Sequence, residues 1–348
     1  VTRIKGKSPT AAKASRFAGL LCWLLLCAVP ARAQDSGLSL DTGGLLFGDL
    51  YYLPSHHLEN GDGAVGLVLR RGYLTFDADF SPSVFGRLRF ELNQSGEFET
   101  YDFEADFKDL YLGWKLGEHR LLAGLAPTPT FDLIEKRWGL RYLMRTPLDL
   151  QGLPSRETGL SLRGPLNASG SLAYRMMLGS RYEFGAESSE NPRYMAALNW
   201  RPAPGWDIDL YLDHEKRETT NDLSTIQLFI SRQRENLRWG ALYSNVDIER
   251  ENPEQLVSFY IVGDLDDRRS LVGRIDRIFE PSPRGDNISY IPFDPTAPAT
   301  MYLGAYEYRL RENLTITPNV IVIDYERDDR GVQPETDVFL RLTAYFRF

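Results

Sequence analysis

Strict two-residue alternation is the feature that most limits what this chain can become. Near its C-terminus Val338, Leu340, Leu342, Ala344, Phe346 and Phe348 fall on one parity, and Phe339, Arg341, Thr343, Tyr345 and Arg347 on the other. A period of two is the side-chain repeat of a strand. One face is apolar throughout and the other carries charge. The same segregation recurs between residues 84 and 93, where Val84, Gly86, Leu88, Phe90 and Leu92 oppose Arg87, Arg89, Glu91 and Asn93. A strand with one face in hydrocarbon and one in water has this pattern. It must also be paired on both edges, because an open edge in lipid leaves backbone groups unsatisfied. A half-solvated soluble sheet would alternate similarly, so strand number and loop lengths have to separate the two.

Sixteen strand-like windows follow one another: 45–53, 64–80, 84–93, 101–116, 119–126, 156–163, 171–181, 193–201, 206–215, 222–232, 236–248, 254–264, 270–279, 300–310, 314–325 and 336–348. In 64–80, Val68, Leu74, Phe76, Ala78 and Phe80 share the apolar parity, with Arg70 and Gly72 between them; Arg71, Tyr73, Thr75, Asp77 and Asp79 take the other. The parity of 101–116 slips near Phe107, which predicts a bulge or bend. Connections alternate between short, such as 81–83, 117–118 and 311–313, and longer, such as 127–155, 182–192 and 280–299. An even strand number with short turns at one end and long loops at the other predicts an all-β fold. That fold is a transmembrane antiparallel β-barrel of about 16 strands, with both chain ends on the short-turn, periplasmic side. It occupies 45–348, after a short periplasmic lead-in at 34–44.

Residues 1–33 read as a secretory signal. Arg3, Lys5, Lys7, Lys13 and Arg16 precede an apolar run from Phe17 to Val29, too short for a membrane helix, and Ala31-Arg32-Ala33 is a small-residue cleavage site. Both cysteines, Cys22 and Cys27, lie within it. A processed chain would then hold no disulfide and no thiolate chemistry. Removing the six basic residues of this segment leaves 34 Lys and Arg against 48 Asp and Glu, a net charge of −14. That argues against nucleic-acid binding. Export without a later apolar helix points to the outer membrane of a Gram-negative bacterium, with outer-membrane lipid as the surrounding partner.

The longest break in the alternation is 127–155, the third outer loop. It holds Asp132, Glu135, Lys136, Arg137, Arg141, Arg145 and Asp149 beside Phe131, Trp138, Tyr142 and Met144. A long, partly apolar loop of this kind is expected to fold into the lumen and narrow it with charged groups. By parity Arg87, Arg89, Arg163, Arg175, Arg274 and Arg341 also face inward, with Asp77, Asp79, Glu91, Asp207, Asp209 and Asp276. These residues, with Lys136, Arg137, Arg141 and Arg145, are the candidates for lining a constriction. The inward set is mixed in sign, so it does not fix an ion preference.

Signals for catalysis are weak. Asp41-Thr42-Gly43 has the form of an aspartic-protease triplet but occurs once. His56-His57 near Glu59 is a metal-capable pair that reads as exposed loop histidines, and His119 and His214 stand alone. No nucleophile elbow, H-E-x-x-H or phosphate-binding glycine loop is present. No enzyme, cofactor or metal is therefore expected.

Several stretches resemble the Gram-negative porins, specifically the phosphate-selective porin O and P group. They are Asp106-Phe107-Lys108-Asp109-Leu110-Tyr111, Leu122-Ala123-Gly124-Leu125-Ala126-Pro127 with the arginine-bearing loop after it, and Arg156-Glu157-Thr158-Gly159-Leu160. The resemblance implies a homotrimeric sixteen-stranded channel for small hydrophilic solutes, often anions such as phosphate. It also implies that Phe348, with Phe346 on the same face, closes the barrel and is read by the barrel-assembly machinery. The chain departs from that group in its mixed inward charge, its acidic balance and its lack of a long N-terminal extension, so architecture carries over further than phosphate specificity. Two other classes compete with a diffusion porin: a barrel enzyme of lipid-hydrolase type, and a non-conducting structural or adhesin barrel.

Overall fold

Sixteen strands, each antiparallel to its neighbours, form one closed ring: β1 (Ser39–Ser55), β2 (Val65–Ser81), β3 (Val84–Gln94), β4 (Phe103–Leu116), β5 (His119–Pro127), β6 (Arg156–Pro165), β7 (Leu172–Gly179), β8 (Arg193–Trp200), β9 (Trp206–Glu215), β10 (Leu223–Gln233), β11 (Leu237–Ile248), β12 (Glu254–Asp264), β13 (Arg269–Ile278), β14 (Ala299–Arg311), β15 (Leu314–Tyr325) and β16 (Asp337–Arg347). This computed structural model describes residues 38–94, 103–180, 192–216, 222–248, 253–282, 285 and 291–348. The expected signal segment 1–33 lies outside the described residues. No helix among them is long and apolar enough to cross a membrane, which leaves a crossing by strands untouched.

Each strand pairs with its sequence neighbours, and β1 pairs with β16 to complete the ring. Leu50 lies opposite Leu342 and Gly48 opposite Ala344. Beyond β16, the Gly44 N–H donates to the Phe348 carbonyl at 2.8 Å and the Phe348 N–H to the Gly44 carbonyl at 3.0 Å. The Phe346 and Phe348 rings stack 5.9 Å apart on the outer face. No edge is left at the seam, as a hydrocarbon environment requires.

The strand starts differ from expectation at the N-terminal end. Most of the lead-in expected at 34–44 belongs to β1. Asp41, Thr42 and Gly43 pair with Asp77, Phe76 and Thr75 of β2. The physical reason is the length of β2, whose inner half would otherwise have no partner on that edge. The protease-like triplet is thus ordinary strand.

Two bulges set which side chains face in. Between β1 and β2 the register slips so that Phe47 opposes Arg71 while Gly48 opposes Leu69, leaving Arg70 as the extra residue. Between β3 and β4, Arg89 opposes Asp109 while Phe90 opposes Phe107, leaving Lys108 as the extra residue. A bulge points two consecutive residues towards one side and reverses parity beyond it. The second is the slip expected near Phe107. The first overturns the assignment of Val68 and Arg70 to the lipid parity. Val68 opposes Asp49 and shares its face, and Arg70 is buried inside against that carboxylate. Gly48 makes the first bulge possible: a Cβ there would lie 2.3 Å from the Val68 carbonyl oxygen.

The two faces then separate cleanly. In β8 the outward Tyr194, Ala196, Leu198 and Trp200 are exposed, and the inward Arg193, Met195, Ala197 and Asn199 are buried. The inward face is not uniform around the ring. On β11–β15 it carries Leu242, Leu256, Tyr260, Val262, Val272, Met301, Leu303, Ile321 and Ile323, all buried in one apolar cluster. Arg274, Asp276, Glu307 and Asn319 interrupt this face, but the expectation of a wet interior all round gives way there to a largely apolar, buried core.

Candidate functional site: the inside of the barrel

The partner of that apolar wall is the third outer loop, residues 128–155. It contains two short helices, α1 (Asp132–Trp138) and α2 (Pro147–Leu150). Asp132 in the first turn and Lys136 and Arg137 in the last suit the α1 dipole. Gly139 at φ 69° ends the helix in the left-handed region that glycine tolerates. The periodicity that failed as strand is therefore helix and turn. Ile134, Trp138, Leu140, Tyr142, Leu143, Met144 and Leu150 of this loop join the cluster from β10–β16. Trp138 packs edge-on against Tyr260 with centroids 5.1 Å apart, and Tyr142 stacks on Tyr345 at 4.5 Å.

Polar anchors hold the loop from several sides of the ring. Arg341 of β16 donates to the Leu143 carbonyl at 2.8 Å, and Arg274 of β13 to the Arg145 carbonyl at 2.6 Å. Arg70 of β2 donates to the Tyr142 carbonyl. Tyr142 Oη donates to Glu307 Oε2 of β14 at 2.6 Å, and burial pushes that phenol's pKa up, with the Glu307 carboxylate adding to it. Gln227 of β10 donates to the Thr130 carbonyl at 3.0 Å, and Arg175 of β7 to the Pro129 carbonyl at 3.3 Å. Contacts with β2, β7, β10, β13, β14 and β16 together can be made only from within the ring.

Opposite this anchored side, inward side chains on β2–β6 keep contact with water. Tyr73, Thr75, Arg87, Arg89, Lys108, Tyr111 and Arg163 are all part-exposed. Arg87 grips Asp77 through Nε at 2.6 Å and Nη2 at 2.8 Å. Arg89 donates to Thr75 Oγ1 at 2.9 Å, lies 3.2 Å from Asp109 Oδ2 and covers the Tyr73 ring. Glu91 is held between Arg71 and Lys108, each 3.0 Å away. Arg156 reaches Asp109 at 2.6 Å. From the loop, Arg141 lies 2.8 Å from Asp149, with Arg145 at 3.8 Å. Burial alone would raise the Asp149 pKa, but Arg141, Arg145, Arg71 and Lys108 outweigh it and hold the carboxyl below its usual range. A field of this kind acts on small polar solutes near the wall.

The candidates read from sequence divide into two groups. Arg87, Arg89, Glu91, Arg163, Arg141 and Arg145 come together on the β2–β6 arc, and Lys136 stands exposed on α1. Arg163 pairs with Asp132 at the start of α1. Arg274 and Arg341 face inward but are buried beneath the loop, Arg274 paired to Asp276 at 2.5 Å and Arg341 bonded to Asn319 at 3.0 Å. Arg175 is paired to Asp209 at 2.8 Å and Arg137 to Asp207. Arg175, Arg274 and Arg341 bond carbonyls of the loop and so fasten it to the wall, and Arg137 ties α1 to Asp207 of β9. Asp79 sits at the turn end of β2, 3.3 Å from Lys115. Arg70, Lys108 and Arg156 were missed as inward candidates, whereas Arg71 lies on the inward parity read from sequence. Arg70 and Lys108 are the extra residues of the two bulges; Arg156 starts β6 on an unbroken register and turns in to Asp109.

Comparison with known proteins gives the class of fold. It is that of a sixteen-stranded porin-like barrel. The anion-selective porin from Comamonas acidovorans superposes with a TM-score of 0.64 at 12% identity, over 90% of this chain and 100% of that one. The outer membrane channel DcaP of Acinetobacter baumannii gives 0.63 at 10%, over 92% and 100%. OmpT of Vibrio cholerae in its trimer form, an outer membrane protein, gives 0.60 at 12%, over 90% and 100%. At these identities the likeness is one of architecture. It extends to general porins and does not single out the phosphate-selective group. No protein-family profile matches the chain. No curated protein matches it in sequence. Among these similar structures are a porin and a channel.

Proposed function

We propose that the chain is an outer-membrane porin through which small hydrophilic solutes and ions diffuse passively, with a preference for anions. The observation that carries this reading is the asymmetry of the interior. Loop 128–155 and the apolar face of β10–β16 occupy one side, and the part-exposed inward groups lie on β2–β6. There Arg71, Arg87, Arg89, Lys108, Lys115, Arg120, Arg156 and Arg163, with Lys136, Arg141 and Arg145 from the loop, narrowly outnumber Asp77, Asp79, Glu91, Glu104, Asp106, Asp109, Asp132, Glu135 and Asp149. A passage between a basic wall and a fixed loop favours anions by its local field, and one structural relative is an anion-selective porin. Phosphate is one such anion. Most of these arginines are already paired to carboxylates, which supports a general preference over a dedicated phosphate site.

The same reading takes 1–33 as a secretory signal, Phe346 and Phe348 as the closure and assembly signal, and a homotrimer as the working form, as in the trimeric OmpT. One observation favours a second reading, a non-conducting structural barrel: the dry core that fills the β10–β16 side. Purified protein added to a planar lipid bilayer separates them. Stepwise conductance, smaller than that of barrels of equal strand number with wet interiors, is the expected result. Verified insertion without any steps would support the structural barrel.

A further inference from the structure

The outer end of the β1–β16 seam holds the one group of three metal-capable side chains found among the described residues, and it plays no part in the passage described above. We propose that His56, His57 and Asp337 form a binding site for one divalent transition-metal ion of the zinc type, which fastens the first strand to the last at the outer mouth of the barrel.

Three observations converge on this site. The first is the donor set. Two imidazoles and a carboxylate suit Zn2+ and its neighbours, and suit Ca2+ or Mg2+ poorly. One ligand atom from each residue lies within 4.8 Å of the other two. Such a spread closes around an ion with ligand distances of about 2.0–2.2 Å after small side-chain rotations. The second is burial. His56 and Asp337 are buried, and the His57 side chain is only 4% exposed. The pair expected to be a solvent-exposed loop feature is in fact packed, the His56 ring against Phe339 and the His57 ring against Tyr325. The two imidazoles stack with centroids 4.6 Å apart.

The third is the support around the carboxylate. Asp337 accepts from the His57 backbone N–H at 2.7 Å and from Tyr325 Oη at 2.6 Å. Tyr325 Oη accepts in turn from the Asp294 N–H at 3.1 Å. Partners of this kind orient a ligating carboxylate and are typical of metal sites. His57 Nδ1 lies 2.9 Å from Asp337 Oδ2. An ion replaces that hydrogen bond, with His57 passing to its Nε2-protonated tautomer. His56 Nδ1, which accepts from the Leu58 N–H at 3.0 Å and lies 3.9 Å from Asp337 Oδ1, turns towards the ion.

The location supplies a role. The β1–β16 register is continuous from Leu45 to Tyr52, then breaks and resumes only at Ser55 opposite Val338. Pro54 within the break has no N–H to donate. The three donors sit at that discontinuity and join residues 280 apart in sequence, where a cross-link restores what the ladder loses.

The test is isothermal titration of full-length processed protein, free of any histidine tag, with ZnCl2 in detergent at neutral pH. The chain has four histidines, so the controls are complete. Saturable binding of one ion per chain is expected, weakened at least about tenfold by His57→Gln and by Asp337→Asn. A double variant, His119→Gln with His214→Gln, leaves it unchanged. Should Asp337→Asn fail to assemble, His56→Gln and His57→Gln, both in the outer loop beyond β1, decide the matter. Absence of saturable binding to the wild type, or equal affinity in His57→Gln, overturns the proposal. Both results stand apart from whether the barrel conducts.

Discussion

Arg70 reaches the interior only because the strand bulges at that position, and once there it serves three neighbours. Its Nε lies 2.7 Å from Asp49 Oδ2, its Nη2 donates to Asp49 Oδ1 and to the Tyr142 carbonyl, and its guanidinium lies 5.1 Å from the Phe47 ring centre. Asp49 also accepts from Thr343 Oγ1 at 2.6 Å and lies 3.7 Å from Arg341. This one knot ties β1, β2, β16 and the inner loop. Breaking a buried pair by removing one partner costs about 3–5 kcal/mol, because the other charge is left behind. Arg70→Ala is therefore expected to lower the urea midpoint of unfolding from lipid vesicles by that equivalent. A shift under about 0.5 kcal/mol would mean that Asp49 is held adequately by Arg341 and Thr343 alone.

The inner loop and the bulges are the elements that turn a generic barrel into this one. Lys108 is the inserted residue of β4, and its two neighbours show the consequence: Phe107 is exposed on the outer face while Asp109 is fully buried inside. Deleting Lys108 removes the extra residue and leaves Phe107 next to Asp109, opposite Phe90 and Arg89 in a regular ladder, so both faces keep their parity. Glu91 then loses Lys108, 3.0 Å away, and keeps Arg71. The deletion, like Lys108→Ala, is expected to retain the folded, heat-modifiable band on cold electrophoresis. Loss of that band in the deletion alone would show that the bend of the bulge is itself required.

The sixteen strands were legible because each carries its own parity signal, and the alternation of short and long connections fixed their direction. The start of β1 was not, since Ser39–Gly44 is small and polar and its only reason to be strand is the length of β2. Val68 and Arg70 were misassigned for a different cause: strict alternation was carried through Arg70 and Arg71, two consecutive charged residues that both face inward at the bulge. The inner loop was legible as an interruption, and its charges as candidates, but which arginines line the passage and which fasten the loop depends on packing against distant strands. Arg274 and Arg87 look alike by parity, yet one is buried under Trp138 at 5.2 Å and the other faces water. The dry side had a trace in the run Val320-Ile321-Val322-Ile323, apolar on both parities, which marks a strand covered on both faces.

At the scale of the whole molecule, the interior is divided between a core and a passage. One arc of strands and the inner loop make a structure that resembles the inside of a soluble protein, and the opposite arc supplies charge to water. If the barrel conducts as proposed, current follows the charged wall of β2–β6, and that wall sets the ion preference. The direct measurement is the reversal potential of the wild-type channel in a planar bilayer under a tenfold KCl gradient, repeated with Arg87→Gln and Arg89→Gln combined. A potential displaced towards the chloride equilibrium value, and moved back towards zero by the double variant, is the predicted result. A cation-selective wild type, or a selectivity that the double variant leaves untouched, would contradict the account.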